Sequence, residues 1–295
     1  MILIPDLHGR MFWKEAVANA DETTRIIFLG DYTDPYGFEE ITPKEAFDNF
    51  VAVLEYARSH PNVELLLGNH DCGYLFGEEV CCCRSDEERY AEIRQLFLDN
   101  LGPEGRSLHF GRGPEGRSLH FGRRPEGRSL HLGRGLFKFC TEVKVGGKCY
   151  LVSHAGINRQ WLEAHAGEFF PDGEIDYASL CERVNGYFLR EPIDYSQVAL
   201  LSEAGHHRGG VDACGSIVWA DINEFDDEGA HIPVDQIVGH TLQVSEVFDD
   251  GDYVIYYGGA CIKRGPRSAV YCIDTAEAYY LDAEGLLQYM RCDGV

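Results

Sequence analysis

Positive charge is scarce in this chain. Lys and Arg number 26 against 49 Asp and Glu, for a formal net charge of -23. Such a balance opposes the phosphate neutralisation that drives non-specific binding to duplex nucleic acid, so no duplex nucleic-acid partner is expected. The eleven cysteines include no Cys-x-x-Cys pair, and an odd count in so long a chain argues against a secreted disulfide framework. Cys81, Cys82 and Cys83 are consecutive and cannot all face one ion, so reduced thiols are expected rather than a thiolate metal site. No apolar run approaches a membrane span, and the first apolar strand starts at residue 1, where a signal peptide would have to stand. The expectation is a cytoplasmic protein with no membrane partner. Within those exclusions the composition is ordinary: 295 residues at 44% hydrophobic and 25% charged can bury a sizeable core.

Arg25-Ile-Ile-Phe-Leu-Gly-Asp-Tyr-Thr-Asp34 is the most informative stretch. A short apolar block bounded by glycine reads as a central parallel strand buried on both faces. Asp31 then stands beyond its carboxyl end, where open α/β sheets gather their ligand-binding groups. Residues 1–5 form a similar strand that runs into Asp6-Leu7-His8-Gly9-Arg10, and residues 63–67 form a third that runs into Gly68-Asn69-His70-Asp71. Helices are expected between them, over 11–20 and from the Thr42-Pro43-Lys44-Glu45 capping box to about residue 60. A β-α-β-α-β unit with right-handed crossovers makes a parallel sheet with Asp6, His8, Asp31, Asp34, Asn69 and His70 along one edge. Carboxylate, imidazole and amide ending three successive strands are the oxygen and nitrogen ligands that divalent ions prefer.

A further helix is expected from the Ser85-Asp86-Glu87-Glu88 capping box to residue 100. The chain then carries three near-identical eleven-residue units, 102–112, 113–123 and 124–134, rich in Gly and Arg and with only two apolar residues each. Too little apolar surface is present to bury a core, so an exposed, disordered insertion is expected, interrupting a single domain that spans 1–295. Residues 135–153 read as a hairpin about Gly146-Gly147, ending in His154. A helix is expected over 176–191, and short strands over 216–219 and over 236–238, the latter ending in Gly239-His240. Strands over 244–248, 253–257, 269–273 and 278–281 suggest a second, more antiparallel sheet packed on the first.

Asp6-x-His8-Gly9, Gly30-Asp31-x-x-Asp34, Gly68-Asn69-His70-Asp71, Ser153-His154-Ala155-Gly156 and Gly239-His240 occur in the order found in calcineurin-like metallophosphoesterases, and the chain resembles that superfamily over roughly 1–75 and 136–282. Gly30-Asp31-Tyr32-Thr33-Asp34 and Trp219-Ala220-Asp221 are most similar to blocks of its phosphoprotein-phosphatase branch, which includes bacterial and phage Ser/Thr phosphatases and diadenosine tetraphosphate hydrolases. The resemblance implies a metallophosphoesterase-type sandwich of two mixed β-sheets flanked by helices. It implies two divalent ions, manganese first among manganese, iron, zinc and magnesium. One would be held by Asp6, His8 and Asp31, the other by Asp31, Asn69, His154 and His240. They would clamp a phosphoryl group and activate a bridging water for direct attack. By the same resemblance His70 would protonate the leaving oxygen, with Asp34 orienting its ring, and Asp71 would be a structural neighbour.

The expected substrate is a phosphomonoester, on a phosphoprotein or a small molecule; a dinucleoside polyphosphate is the alternative, and a non-catalytic scaffold of the same fold a third. One position departs from the resemblance. The eukaryotic-type phosphatases continue the Gly-Asp-Tyr-x-Asp block with an arginine that grips the substrate phosphate, and here that position is Pro35. Arg208 and Arg10 are the expected substitutes, because a guanidinium fork matches phosphate oxygens.

Overall fold

A computed structural model describes residues 1–81, 84–101, 135–171, 173–190, 192–249 and 252–290, with backbone only over 245–257. The three expected N-terminal strands are β1 (Ile2–Ile4), β2 (Ile26–Phe28) and β3 (Val63–Leu66), with α1 (Trp13–Val17) and α2 (Pro43–Ser59) as the crossovers. β2 lies between β1 and β3 and is parallel to both. The capping box of α2 forms: the Thr42 side chain accepts from Glu45 N, and the Glu45 carboxylate accepts from Thr42 N at 2.8 Å. Two donors that would otherwise be orphaned are thereby satisfied.

The chain continues through α3 (Asn69–Phe76), α4 (Tyr90–Asn100), β4 (Phe137–Lys138), β5 (Cys140–Val145) and β6 (Lys148–Ser153). Four helices follow, α5 (Arg159–Ala164), α6 (Ala166–Phe169), α7 (Leu180–Phe188) and α8 (Tyr195–Ser202). The last strands are β7 (Asp235–Val238), β8 (Val244–Asp249), β9 (Asp252–Tyr257), β10 (Cys261–Arg264), β11 (Ala269–Cys272), β12 (Tyr279–Leu281) and β13 (Leu287–Tyr289). One sheet has the order β13-β12-β1-β2-β3-β4 and the other β10-β11-β7-β6-β5, with β8 and β9 paired apart. Both large sheets mix parallel and antiparallel pairs, so the fold is mixed α/β.

Side-chain alternation layers the molecule. Leu3, Ile27 and Leu66 from the first sheet share a buried cluster with Val143, Val152 and Ile237 from the second. Their neighbours Ile2, Ile4, Ile26, Phe28 and Leu65 point the other way, into a larger core with Phe50, Val53 and Leu54 of α2. The period of two thus sends one face of the first sheet against the second sheet and the other against helices. Each fully buried side chain of this size contributes about 1.5–3 kcal/mol.

Several expectations are corrected here. The hairpin over 135–153 is broken near Phe139: β4 pairs with β3 in the first sheet, while β5 pairs with β6 in the second. The amide of Asn185 on α7 makes the switch possible, accepting from Phe139 N at 2.7 Å and donating to Cys140 O at 2.8 Å. Those backbone groups have no strand partner at the crossing and require one. Residues 216–219 are not a strand but a turn, because Trp219 N and Ala220 N both donate to Ser216 O. α4 starts at Tyr90 rather than near Ser85, since Asp86 spends its carboxylate on Arg89 N and its own N–H on the Tyr74 hydroxyl. The final strands do not make one sheet together: β8 and β9 pair by themselves, β12 and β13 extend the first sheet, and β10 and β11 the second. α3, α5, α6 and α8 were not expected. The triplicated unit, 102–134, lies outside the described residues.

Candidate metal centre

The loops beyond β1, β2 and β3 carry Asp6, His8, Asp31, Asp34, Asn69 and His70 to one edge, and all six are buried. His154, after β6, and His240, after β7, reach the same place from the second sheet. Two groups of atoms that could hold a metal ion result, each with its atoms within 4.8 Å of one another: His8, Asp31 and His70, and Asp31, His154 and His240. Asp31 belongs to both. Its Oδ2 lies 3.6 Å from His8 Nε2 and 3.6 Å from His154 Nε2. Asp6 is placed beside these groups, its carboxylate accepting from His240 N at 2.9 Å, with Oδ1 3.8 Å from His154 Nδ1.

The hydrogen-bond pattern orients lone pairs inward. His154 Nδ1 donates to Leu29 O at 2.9 Å, which leaves Nε2 as an acceptor facing Asn69 Oδ1 at 3.0 Å and His240 Nδ1 at 3.1 Å. His8 Nδ1 is likewise occupied by the carbonyls of Thr33 and Asp34, so its Nε2 turns to Asp31. An imidazole fixed in this way by a backbone carbonyl is the arrangement seen for metal-ligating histidines. Acceptor facing acceptor is unfavourable without a cation or an added proton between them. His240 Nε2 is buried with no hydrogen-bond partner among the described residues.

Electrostatics point the same way. Burial pushes the pKa of His8 and His240 well below the usual imidazole range, so both are held neutral, as ligands must be. Asp6 is pushed up to about 6 by burial and by Asp31, against the pull of His154. Burial would raise Asp31 too, but the imidazoles of His154, His70 and His8 outweigh it and hold that carboxyl below its ordinary value. Burial and proximity to Asp6 raise Asp274, whose two oxygens have no hydrogen-bond partner among the described residues. This concentration of buried carboxylate is costly unless cations compensate it.

Local backbone is bent to make the site. Among the described residues the non-glycine positions with positive φ are His8, Asp31, Asp34, Arg84, His240 and Ala276, a conformation that costs an L-residue about 1–2 kcal/mol. Gly68 is required because a Cβ there would run into the Asp31 carboxylate. Asp71 is the structural neighbour expected, accepting from Gly68 N, Asp31 N and Tyr32 N at 2.7–3.1 Å. Tyr32 anchors the end of β2 through its hydroxyl on Leu66 O, 2.8 Å away.

His70 Nδ1 meets Asp34 Oδ2 at 2.9 Å, and Tyr74 donates to the other Asp34 oxygen at 2.6 Å. Tyr74 gave no signal in the sequence, because α3 is buried on every side and shows no amphipathic period. The two arginines expected at substrate phosphate are both engaged with protein groups. Arg10 Nε pairs with Glu39 at 2.7 Å and its Nη1 donates to Asp6 O. Arg208 Nε pairs with Asp221 at 2.8 Å, while its Nη2 donates to His240 O and Thr241 Oγ1. Each thereby braces a loop that carries a candidate ligand. Trp219 packs edge-on against His240, 5.6 Å between centroids, and donates to Val80 O.

Arg84 was missed. Its Nη2 lies 3.1 Å from His70 Nε2 and its guanidinium lies over the Tyr36 ring. No family model matches the chain, and no curated protein matches it.

Proposed function

We propose that the chain is a dinuclear metal-dependent phosphoesterase with a calcineurin-like metallophosphoesterase fold, acting on phosphomonoesters such as phosphoserine or phosphothreonine in proteins. The observation that carries this reading is Asp31 shared by two clusters, one with His8 and His70 and one with His154 and His240; because His70 Nδ1 is taken by Asp34 and its Nε2 by Arg84, Asp6 would stand in its place as a ligand. The donor set fits two divalent ions: buried neutral imidazoles, ionised carboxylate and an amide oxygen suit manganese, iron or zinc. Asp6, His8 and Asp31 would hold one ion, with Asp31, Asn69, His154 and His240 on the other. Bound there, the pair would supply Lewis-acid activation of the phosphoryl group and of a water nucleophile.

The chain's own residues supply the rest. Once Arg84 has left it, His70 Nε2 would take up a proton from solvent and pass it to the leaving oxygen, with Asp34 holding the ring by Nδ1 and stabilising the imidazolium before transfer. Tyr74 fixes Asp34 in turn, so the acid is positioned by groups that touch no substrate.

A second reading, dinucleoside polyphosphate hydrolysis, is favoured by the aromatic pair at the mouth. Tyr36 contacts the His8 ring and stacks on Phe38 at 5.1 Å, and Phe38 is 49% exposed, a platform of the kind on which a base can stack. Turnover of a phosphopeptide and of diadenosine tetraphosphate by the manganese-loaded protein, measured side by side, decides between them. The first reading expects the phosphopeptide to be preferred; turnover of neither would overturn both.

A further inference from the structure

The site's arginines differ in what holds them. Arg10 and Arg208 each have a carboxylate within 2.8 Å and a ligand-loop carbonyl as well. Arg84 pairs with no carboxylate among the described residues. Its Nη2 rests on His70 Nε2 at 3.1 Å, a neutral acceptor, and its guanidinium carbon sits 3.9 Å from the centroid of the Tyr36 ring. Stacking on an aromatic face fixes the plane of a guanidinium without consuming its N–H donors. The side chain is otherwise exposed, and its backbone has φ +52°, sharing positive φ with His8, Asp31, Asp34 and His240.

The segment is tied to the site from the other side as well. Asp86 N donates to Tyr74 Oη at 2.7 Å, and Tyr74 donates to Asp34, the partner of His70. Arg84 is therefore held from two directions with its fork facing the atom on which a leaving oxygen has to arrive. An anion entering there offers charged acceptors in place of a neutral ring nitrogen, and charge-assisted bonds from guanidinium to phosphate are about twice as strong as neutral ones.

We infer that Arg84, seated on Tyr36, grips the substrate's phosphoryl oxygens and vacates His70 Nε2 as it does so. This rests on the phosphoesterase reading, and it assigns to Arg84 the phosphate contact that Pro35 cannot make. Tyr36 is then a positioning residue.

The test uses the full chain loaded with manganese, with inorganic phosphate as the probe in calorimetry and as a competitive inhibitor of p-nitrophenyl phosphate hydrolysis. Arg84→Ala should weaken phosphate about tenfold or more and raise KM similarly, with metal content unchanged; Arg84→Lys should fall between, keeping charge and losing the fork. Added guanidinium should restore part of the Arg84→Ala loss. Tyr36→Ala should weaken phosphate less than Arg84→Ala, since the ring carries the guanidinium but makes no contact with the anion itself. Phosphate affinity within about twofold of the parent in Arg84→Ala would overturn the inference, as would a parent protein that binds no phosphate. A parent that binds phosphate but hydrolyses no ester would instead defeat the phosphoesterase reading, leaving the binding comparison to judge Arg84.

Discussion

The two ends of the same parallel strands treat charge in opposite ways. Toward the amino end, Glu64 on β3 is saturated: Arg25 Nε and Lys138 Nζ each lie 2.6 Å from its oxygens, and Thr141 donates to it at 2.9 Å. Arg25 also donates to Thr141 Oγ1 and Glu142 O, tying the first sheet to the second. Beyond the carboxyl end, Asp6, Asp31 and Asp274 crowd one another, His240 Nε2 has no hydrogen-bond partner among the described residues, and the backbone is strained at four of the candidate site residues. Folding alone rewards the first arrangement. The second costs stability where nothing compensates it, as is expected of a binding site rather than of a structural ion pair.

Perturbation should separate the two ends sharply. The largest loss is expected from Asp31→Asn, which weakens both ligand groups at once: turnover should fall by about a thousandfold or more, and bound metal should drop, on assay of the reconstituted variant. Metal-free stability should change little or rise, because a crowding charge is removed; an unfolded variant would show that Asp31 is structural instead.

His70→Asn comes next. Turnover of alkyl phosphates should fall roughly a hundredfold with metal content intact, and aryl phosphates should suffer less because their leaving groups need little protonation. Equal losses on both would assign His70 to positioning rather than proton transfer.

At the other end the effect should be on stability. Burial alone would raise the Glu64 pKa, but the hydrogen bonds and charges of Arg25 and Lys138 hold it at about 2. A carboxyl depressed in the fold contributes stability above its unfolded pKa and loses it as pH falls toward the folded one. Chemical denaturation between pH 7 and pH 3 should therefore show a decline, steepest below about pH 4.5, that Glu64→Gln reduces. At pH 7 the variant should be less stable by about 1–3 kcal/mol, with metal binding retained. A flat difference across that range would remove Glu64 from the account.

The smallest effect is expected from the triplicated insertion. The described residues on either side of it meet: Leu136 N donates to Asn100 O at 2.9 Å. Lengthening a loop whose ends meet adds only a logarithmic closure cost. Replacing it with a short Gly/Ser linker should leave melting temperature and small-substrate turnover nearly unchanged; a tenfold loss of turnover would show that the repeat shapes the site. Its seven arginines against three glutamates make a loss confined to a macromolecular substrate the signature of a recruiting arm.

What the sequence revealed follows from locality. β1, β2, β3 and α2 were legible because each is a short apolar run or a capped amphipathic period followed at once by its own chemistry. Asp31 and His70 could be placed from the strand they follow. Elements defined by distant partners could not. The break near Phe139 depends on Asn185, forty-six positions on, and the turn at Ser216 reads as a strand because its apolar residues are buried without being paired. α3 is buried all round and so has no period to read. Arg84 belongs to the site through Tyr36 and His70, contacts that no spacing within residues 84–86 encodes.

The central claim is that the carboxyl end is completed by two ions held through Asp31. Metal content of the manganese-reconstituted protein, set against that of Asp31→Asn and His154→Ala, tests it most directly. About two ions per chain are expected in the parent, with both occupancies weakened in Asp31→Asn and one largely retained in His154→Ala. A single ion in the parent, or loss of the same ion in both variants, would contradict it.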